Sequence, residues 1–280
     1  MSDPLKLMAI AAHPDDESLG MGGTLAKYAA EGVETYLVTA TRGEYGWFGD
    51  EQDNPGPEAL GRLREVELLA AAQALGVREV HFLDYVDGHL DQADPAEAVA
   101  KIVGHLRRAK PHIVLTFDPN GAYGHPDHIA ISQFTTAAVI AAADPNYIAS
   151  YSHTPLTPHR VSKLYYMAWP KDKFAAYESV FGDLVMNIDG VERRTTPWPE
   201  WAITTLIDTA AYWPTVWQAI LCHKTQLPMY SRLEHLPGEH HKGLWSTQEY
   251  YRVFSLVNGG RKRETDLFEG LRATVGIAKS

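Results

Sequence analysis

The sequence predicts an α/β fold: a mostly parallel sheet with helices on both faces, followed by an irregular C-terminal extension. Three observations carry this expectation. Short apolar runs alternate with longer helix-like segments through the first half of the 280 residues. Turn-forming Gly, Pro, Asn and Asp punctuate the alternation. After Asp144 the alternation fails, and Pro145, Pro155 and Pro158 interrupt the next stretch of chain.

In order, residues 5–12 read as a buried strand, being apolar and short. Residues 19–32 read as a helix, with Met21, Leu25 and Tyr28 near helical spacing and Gly32 as its stop. Residues 35–41 form a second buried strand. Residues 42–57 are rich in Gly, Asn, Asp and Pro and read as a long loop. Residues 58–75 are rich in Ala, Leu, Glu and Arg and end at Gly76, which predicts a helix. A short strand over 80–83, a helix over 95–109 with Pro at its start, a strand over 112–117 and a helix over 128–143 complete the alternation. Residues 163–169 are a further strand candidate, and 198–226 read as partly helical. The expected division is an alternating α/β core over 1–145 and an extension over 146–280 that completes the sheet and the pocket wall within the same domain.

The bulk numbers exclude several classes. An apolar fraction of 45% is ordinary for a globular chain. A formal net charge of −10 disfavours a nucleic-acid or anionic-membrane partner. The single cysteine, Cys222, can form neither an internal disulfide nor a thiolate cage, which suits a cytoplasmic protein. The N-terminal apolar run is too short for a secretory signal, and no stretch is long enough to span a bilayer.

Two clusters carry the chemistry. Ala12-His13-Pro14-Asp15-Asp16-Glu17 comes after the first strand, and Tyr123-Gly124-His125-Pro126-Asp127-His128 after a later one. Loops after parallel strands gather at one sheet edge, where α/β ligands bind. His13, Asp16 and His128 are of the types that hold zinc or ferrous iron, and three protein ligands leave a position for water. Asp15 beside Asp16 suggests a ligand and a general base side by side. Asp127 is expected to hydrogen-bond His125 and keep it protonated, so that His125 stabilises an oxyanion or protonates a leaving amine. Each piece alone has an ordinary structural explanation, such as a core His or a cap Asp. The conjunction is what favours a divalent-metal hydrolase.

At these residues the chain resembles the PIG-L/LmbE-like deacetylases, whose hallmarks are an Ala-His-Pro-Asp-Asp-Glu segment and a Gly-His-Pro-Asp-His segment. Both stand here, at 12–17 and 124–128. The likeness continues at 20–23, 64–76, 84–90 and 118–128, and a run at 222–226 looks like a late helix of the family. The resemblance implies a Rossmann-like fold and a zinc-dependent N-deacetylase, relatives of which cleave mycothiol conjugates at a different amide. It implies His13, Asp16 and His128 as metal ligands, with Zn2+ the expected ion and Fe2+ the alternative. It implies Asp15 as the general base that works through metal-activated water. His125, oriented by Asp127, and Tyr123 would face the oxyanion, and Arg64 and Asp87 would lie near the substrate. An N-acetylated sugar is the implied small-molecule partner, and members often assemble as homo-oligomers.

Other residues have plainer readings. Arg64 sits on a charge-rich helix where an ion-paired face is the default. Trp47 and Phe48 either stack on a sugar or pack back on the body. His223 reads as structural, and His240 and His241 have no partner motif. Three rival functions fit the residues less well. A dinucleotide site fails because Leu25 replaces the third glycine of the fingerprint. A metal-assisted phosphoesterase usually needs two metals and more ligands than are visible. A non-catalytic metal protein has no need of Asp15 or His125.

Overall fold

A computed structural model describes residues 4–148, 156–188, 190–194, 196–260 and 262–272. The core is built from β1 (Lys6–Ala11), α1 (Asp16–Ala30), β2 (Glu34–Thr39), α2 (Pro57–Ala74), β3 (Glu79–Phe82), α3 (Pro95–Ala109) and β4 (Ile113–Thr116). A four-residue turn α4 (Gly121–Gly124), α5 (Pro126–Ala143) and β5 (Lys163–Met167) come next. Then come α6 (Lys171–Phe181), the hairpin β6 (Val185–Ile188) and β7 (Val191–Arg194), and β8 (Thr205–Asp208). The chain closes with α7 (Trp213–Ile220), α8 (Leu227–Glu234), α9 (Gly238–Trp245) and β9 (Thr247–Ser255).

The main sheet has seven strands in the order β3-β2-β1-β4-β5-β9-β8. The first five are parallel. β9 runs antiparallel to both its neighbours, so β8 returns to the direction of the first five. The order reverses between β1 and β4, one leading outward through β2 and the other through β5. The crevice beyond the carboxyl ends of such a pair is where open α/β sheets bind ligands. Both motif loops leave from these two strands.

β1 is apolar because both its faces are covered: Leu7, Met8, Ala9 and Ile10 are all fully buried. Gly23 on α1 allows the helix to lie close to the segment after β8, since a Cβ there would sit 2.8 Å from the Thr209 Cβ. A buried polar cluster locks the C-terminal segment onto the sheet. Glu264 accepts from Lys163 Nζ at 2.8 Å, Tyr165 OH at 2.8 Å and Thr205 Oγ1 at 2.8 Å. Phe268 then packs edge-on to Tyr28 of α1, with ring centres 5.2 Å apart.

The predicted boundaries of the core elements agree to within a few residues, and the differences have physical causes. α1 begins at Asp16, three residues before its apolar period, because its acidic first turn points inward rather than to solvent. The predicted loop after β4 contains the turn α4. β8 and β9 were not anticipated. β9 carries Gln248 and Glu249 before its aromatics and Arg252 among them, and its pairing with β5 and β8 depends on partners far away in the chain. Part of the irregular stretch after residue 145 (149–155) lies outside the described residues. Among the described residues, no helix is long and apolar enough to cross a membrane.

Candidate active site

The turn after β1 is strained, and the strain is anchored. Asp15 has φ 113° and ψ −25°, in the left-handed region that a non-glycine residue occupies at a cost of about 1–3 kcal/mol. Its backbone N–H donates to Glu17 Oε2 at 2.9 Å. Glu17 Oε1 accepts from Ser18 Oγ at 2.5 Å and pairs with His223 Nε2 at 2.8 Å. Both Glu17 and His223 are fully enclosed. This pair staples α1 to the turn after α7 and holds the Asp15 backbone where it is.

Three donor atoms converge next to that turn. His13 Nδ1 and His128 Nε2 are 3.2 Å apart. His128 Nε2 lies 3.3 Å from Asp16 Oδ1, and His13 Nδ1 lies 3.7 Å from Asp16 Oδ2. A tetrahedral ion with bonds near 2.1 Å separates its ligands by about 3.4 Å. The His13–His128 and His128–Asp16 distances therefore match edges of such a site, and the third distance runs to the other Asp16 oxygen. Two imidazole nitrogens and one carboxylate form a donor set that suits a divalent transition metal. His13, Asp16 and His128 are all buried, and their donor atoms meet the distances of a metal-holding group.

A second set, His13, His125 and Asp127, also falls within metal-holding distance. It uses the other nitrogen of His13, and its chemistry is that of a hydrogen bond. His13 Nε2 lies 3.1 Å from Asp127 Oδ2 and 3.1 Å from Asp87 Oδ1. A carboxylate behind a ligating imidazole fixes its tautomer and raises its basicity. With the proton on Nε2, the Nδ1 lone pair faces His128 Nε2 and the Asp16 carboxylate. His128 has no such support: its Nδ1 is buried without a partner. Its ring stacks on Phe117, with centres 3.9 Å apart.

The geometry corrects the expected role of Asp127. Its carboxylate does not hold His125. Besides His13, it accepts the backbone N–H groups of Gly88 at 2.8 Å and Leu90 at 3.0 Å. The one bond between the two residues runs from the Asp127 backbone N–H to His125 Nδ1 at 3.1 Å, as a cap on α5. With Nδ1 accepting, the proton of a neutral His125 is on Nε2. His125 is not kept protonated: burial and the neighbouring His13 and His128 imidazoles push its pKa down to about 3. It can still donate Nε2–H to an oxyanion as a neutral ring.

Asp15 itself is gripped from two sides. Arg64 Nη2 donates to Asp15 Oδ2 at 3.2 Å, and Tyr230 OH donates to the same oxygen at 2.6 Å. Oδ1 remains to take a proton. Burial pushes the Asp15 carboxyl above its ordinary pKa, against Arg64 and Tyr230, which both favour the charged form. For Asp16 burial acts the same way, but His128 and His13 outweigh it and hold the pKa low.

Arg64 is 3% exposed, and its other bonds go to the Gly43 and Pro14 carbonyls at 2.8 and 2.5 Å. Gly43 makes this crossing possible, because a Cβ there would fall 2.3 Å from Arg64 Nη1. Asp87 accepts from the Tyr45 backbone as well as facing His13. Of the Arg64 guanidinium only the buried Nε lacks a partner, and neither residue lines the cleft that opens beside Asp16 and His128.

That cleft holds about 380 Å³. Its floor includes Asp15, Asp16, His125 and His128, and Tyr123 forms part of its side. Burial, then Asp16 and Asp15, pushes the Tyr123 phenol well above its ordinary pKa, so it stays a hydroxyl donor. Phe48 reaches the rim, whereas Trp47 folds back and bonds the Asp50 carbonyl at 3.0 Å. His241 is structural: its Nε2 lies 2.7 Å from the Leu233 carbonyl, and its ring sits among Trp213, Trp217 and Trp245. A carbonyl can only accept, so His241 Nε2 is the donor. The run 222–226 forms the tight connection between α7 and α8 and contains one turn of 3₁₀ helix, Lys224–Gln226.

Residues 8–139 match the family model described as "PIG-L: GlcNAc-PI de-N-acetylase". A 1D-myo-inositol 2-acetamido-2-deoxy-alpha-D-glucopyranoside deacetylase of Kineococcus radiotolerans is 31% identical, covering 97% of this chain and 84% of the relative. The chain belongs to the PIG-L family. Membership makes it a hydrolase of carbon–nitrogen amide bonds. A mycothiol S-conjugate amidase of Streptomyces coelicolor is equally similar, at 31% over 97% of this chain and 99% of the relative. The likeness thus extends through the C-terminal third, beyond the half in which the motifs stand. An N,N'-diacetylchitobiose deacetylase from Pyrococcus horikoshii has the same fold, with a TM-score of 0.67 at 22% identity over 90% of this chain and 84% of that one.

Two positions escaped sequence reasoning. Glu17 stood inside the first motif without a role, and the motif itself was the available signal. Tyr230 lies on α8 with no local signal at all, since its partner Asp15 is 215 residues away.

Proposed function

We propose that this protein removes the acetyl group from an N-acetylated amino sugar, with His13, Asp16 and His128 holding a zinc ion. The observation that carries this reading is the donor triangle, two of whose members, Asp16 and His128, lie with Asp15 at the floor of one cleft. Deacetylases of such sugars among the relatives support the substrate class. A zinc ion in the triangle would supply Lewis acidity toward the amide carbonyl and make a water easier to deprotonate near neutral pH. Ferrous iron satisfies the same donors, and metal analysis separates the two.

The residues of this chain then divide the work. Asp15 Oδ1 takes the proton from water as its oxygen adds to the acyl carbon. His125 Nε2–H and the Tyr123 hydroxyl face the oxygen of that carbon as it becomes negative. The C–N bond breaks, the nitrogen leaves as a free amine carrying the proton that Asp15 had held, and the acyl group leaves as acetic acid, whose remaining water proton passes to solvent to give acetate. Arg64 and Tyr230 keep Asp15 in place but do not touch the substrate. Asp127 and Asp87 act through His13.

A second reading rests on the equal similarity to the Streptomyces coelicolor amidase: the amide cut is the one joining an amino sugar to a larger acyl group. Acetate and free-amine release from N-acetylglucosamine derivatives, with metal counted and with chelator added, tests both. Chelator-sensitive acetate release supports deacetylation. Amine release without acetate selects the amidase, and metal-loaded protein that cleaves neither class refutes both.

A further inference from the structure

The wall of the cleft above the catalytic floor is almost wholly apolar. Met167, Trp169, Phe181, Leu184, Met186 and Met229 all face it. Among the described residues that line it there is no Arg, Lys, Asn, Gln or Glu. The single charged side chain beyond the catalytic group is Asp183, which is 75% exposed and lies 3.6 Å from Arg194.

Of the three tyrosines that line the cleft, Tyr123 stands beside His125 and His128 at the floor, and the other two are spent on protein groups. Tyr177 OH donates to the Leu19 carbonyl at 2.6 Å and accepts from Trp245 Nε1 at 3.2 Å. Tyr230 OH is bonded to Asp15. Arg64 and Asp87, the polar groups expected near the substrate, are tied up behind the donor triangle. A polyol pushed into this space would lose water from each hydroxyl and find few partners, a cost of roughly 1–3 kcal/mol per unpaired group. The space is also larger than an acetyl group requires, since about 380 Å³ falls in the range of sites for drug-sized ligands. Three of the wall residues are methionines, whose flexible thioethers adapt to apolar groups of different shape.

We propose that the N-acylated amino sugar taken by this enzyme carries an extended apolar substituent, and that the cleft between Met167, Leu184, Met186 and Met229 holds it. The inference rests on the amino-sugar reading above and adds the class of group attached to the sugar. That group has two sources with one chemistry: a longer acyl chain on the amide, or an alkyl or aryl group on the anomeric oxygen.

The test uses metal-loaded full-length protein and its Asp15→Asn variant. One series is glucosamine N-acylated with two, four, six or eight carbons. The other is N-acetylglucosamine as its methyl, n-octyl, phenyl and inositol glycosides. Calorimetry on Asp15→Asn gives affinity, and amine release by the parent enzyme gives kcat/KM. Full burial of one methylene is worth at most about fourfold in affinity. The octyl or octanoyl member is therefore expected to bind at least 20-fold tighter than the shortest of its series. The series that rises identifies which source the cleft accepts. Met186→Glu, with Leu184→Glu as the alternative variant if the first does not fold, should reduce the long-to-short ratio at least fivefold. A flat affinity in both series, or an inositol glycoside that binds tighter than the octyl one, overturns the inference. Flat affinity with acetate release refutes the apolar substituent alone. Rising affinity with no release from any member supports the cleft assignment and refutes the deacetylase reading.

Discussion

Replacing Tyr230 with Phe isolates the contact that the sequence concealed. The change removes one hydroxyl and leaves the ring, which packs edge-on against Phe181 with centres 6.0 Å apart. The loss is a 2.6 Å bond to Asp15 Oδ2, while Arg64 stays at 3.2 Å from the same oxygen. A hydrogen bond to a charged group contributes about 1.5–3 kcal/mol. One pKa unit corresponds to about 1.4 kcal/mol, so the Asp15 carboxyl should rise by roughly 1–2 units. The sign comes from the donor: Tyr230 favours the charged carboxylate, and its loss makes Asp15 hold a proton at higher pH. As a base that must be ionised in the free enzyme, Asp15 should set an acid limb in the profile of kcat/KM against pH. That limb should move up by about 1–2 units in Tyr230→Phe, with the rate recovering on the alkaline side. The metal content of each sample separates this from ligand loss. A uniform drop at every pH, with the limb unmoved and the metal retained, refutes a role for Tyr230 through the Asp15 carboxylate.

Other outcomes are expected from the same geometry. Asp15→Asn should keep its metal by elemental analysis and lose about 10²–10⁴ in kcat, the usual share of a general base; near-parental turnover sinks that assignment. His13→Ala should lose metal, and equal metal content in variant and parent after dialysis contradicts the donor triangle. Burial and the nearby His81 and Arg108 push the His105 pKa down to about 3. The unfolded chain therefore takes up a proton below about pH 6.5 that the folded chain refuses, and stability falls as pH drops from there toward 3. His105→Gln should flatten urea midpoints between pH 7 and 5, with each titrating group contributing at most about 1.4 kcal/mol per pH unit; an unchanged slope counts against it. Lys163→Met leaves Glu264 without its closest cation and should cost about 3–5 kcal/mol in urea unfolding, reduced by the remaining bonds to Glu264. A loss below about 1 kcal/mol means that the pair is dispensable.

Sequence patterns were most informative where structure is local. β1, β2 and β4 are covered on both faces and so read as continuous apolar runs. α2 and α3 each start at a proline and present few ambiguities. β9 was missed because polar residues flank its aromatics, whose partners, Tyr166 among them, belong to a strand about 85 residues earlier. The side chains of the donor triangle could be named in advance because two strand ends at the switch point bring their loops together. Asp127 was assigned the wrong imidazole for the opposite reason. It lies two positions from His125, but the backbone at the start of α5 turns its carboxylate toward His13, 114 residues away.

The residue types in the two motifs determined by themselves that metal-ligand types and a neighbouring carboxylate were available, and the alternation of strands and helices determined that they would share one edge. Local chemistry and periodicity suffice for both. Only the tertiary structure decided which nitrogen of His13 faces the other ligands, that Tyr230 and Arg64 grip Asp15, and that Glu17 and His223 hold its strained backbone. It also decided the apolar character of the cleft, whose walls come from β5, α6, the segment entering β6 and α8. These contacts join residues separated by up to 215 positions, and their directions depend on backbone placement that no local pattern encodes.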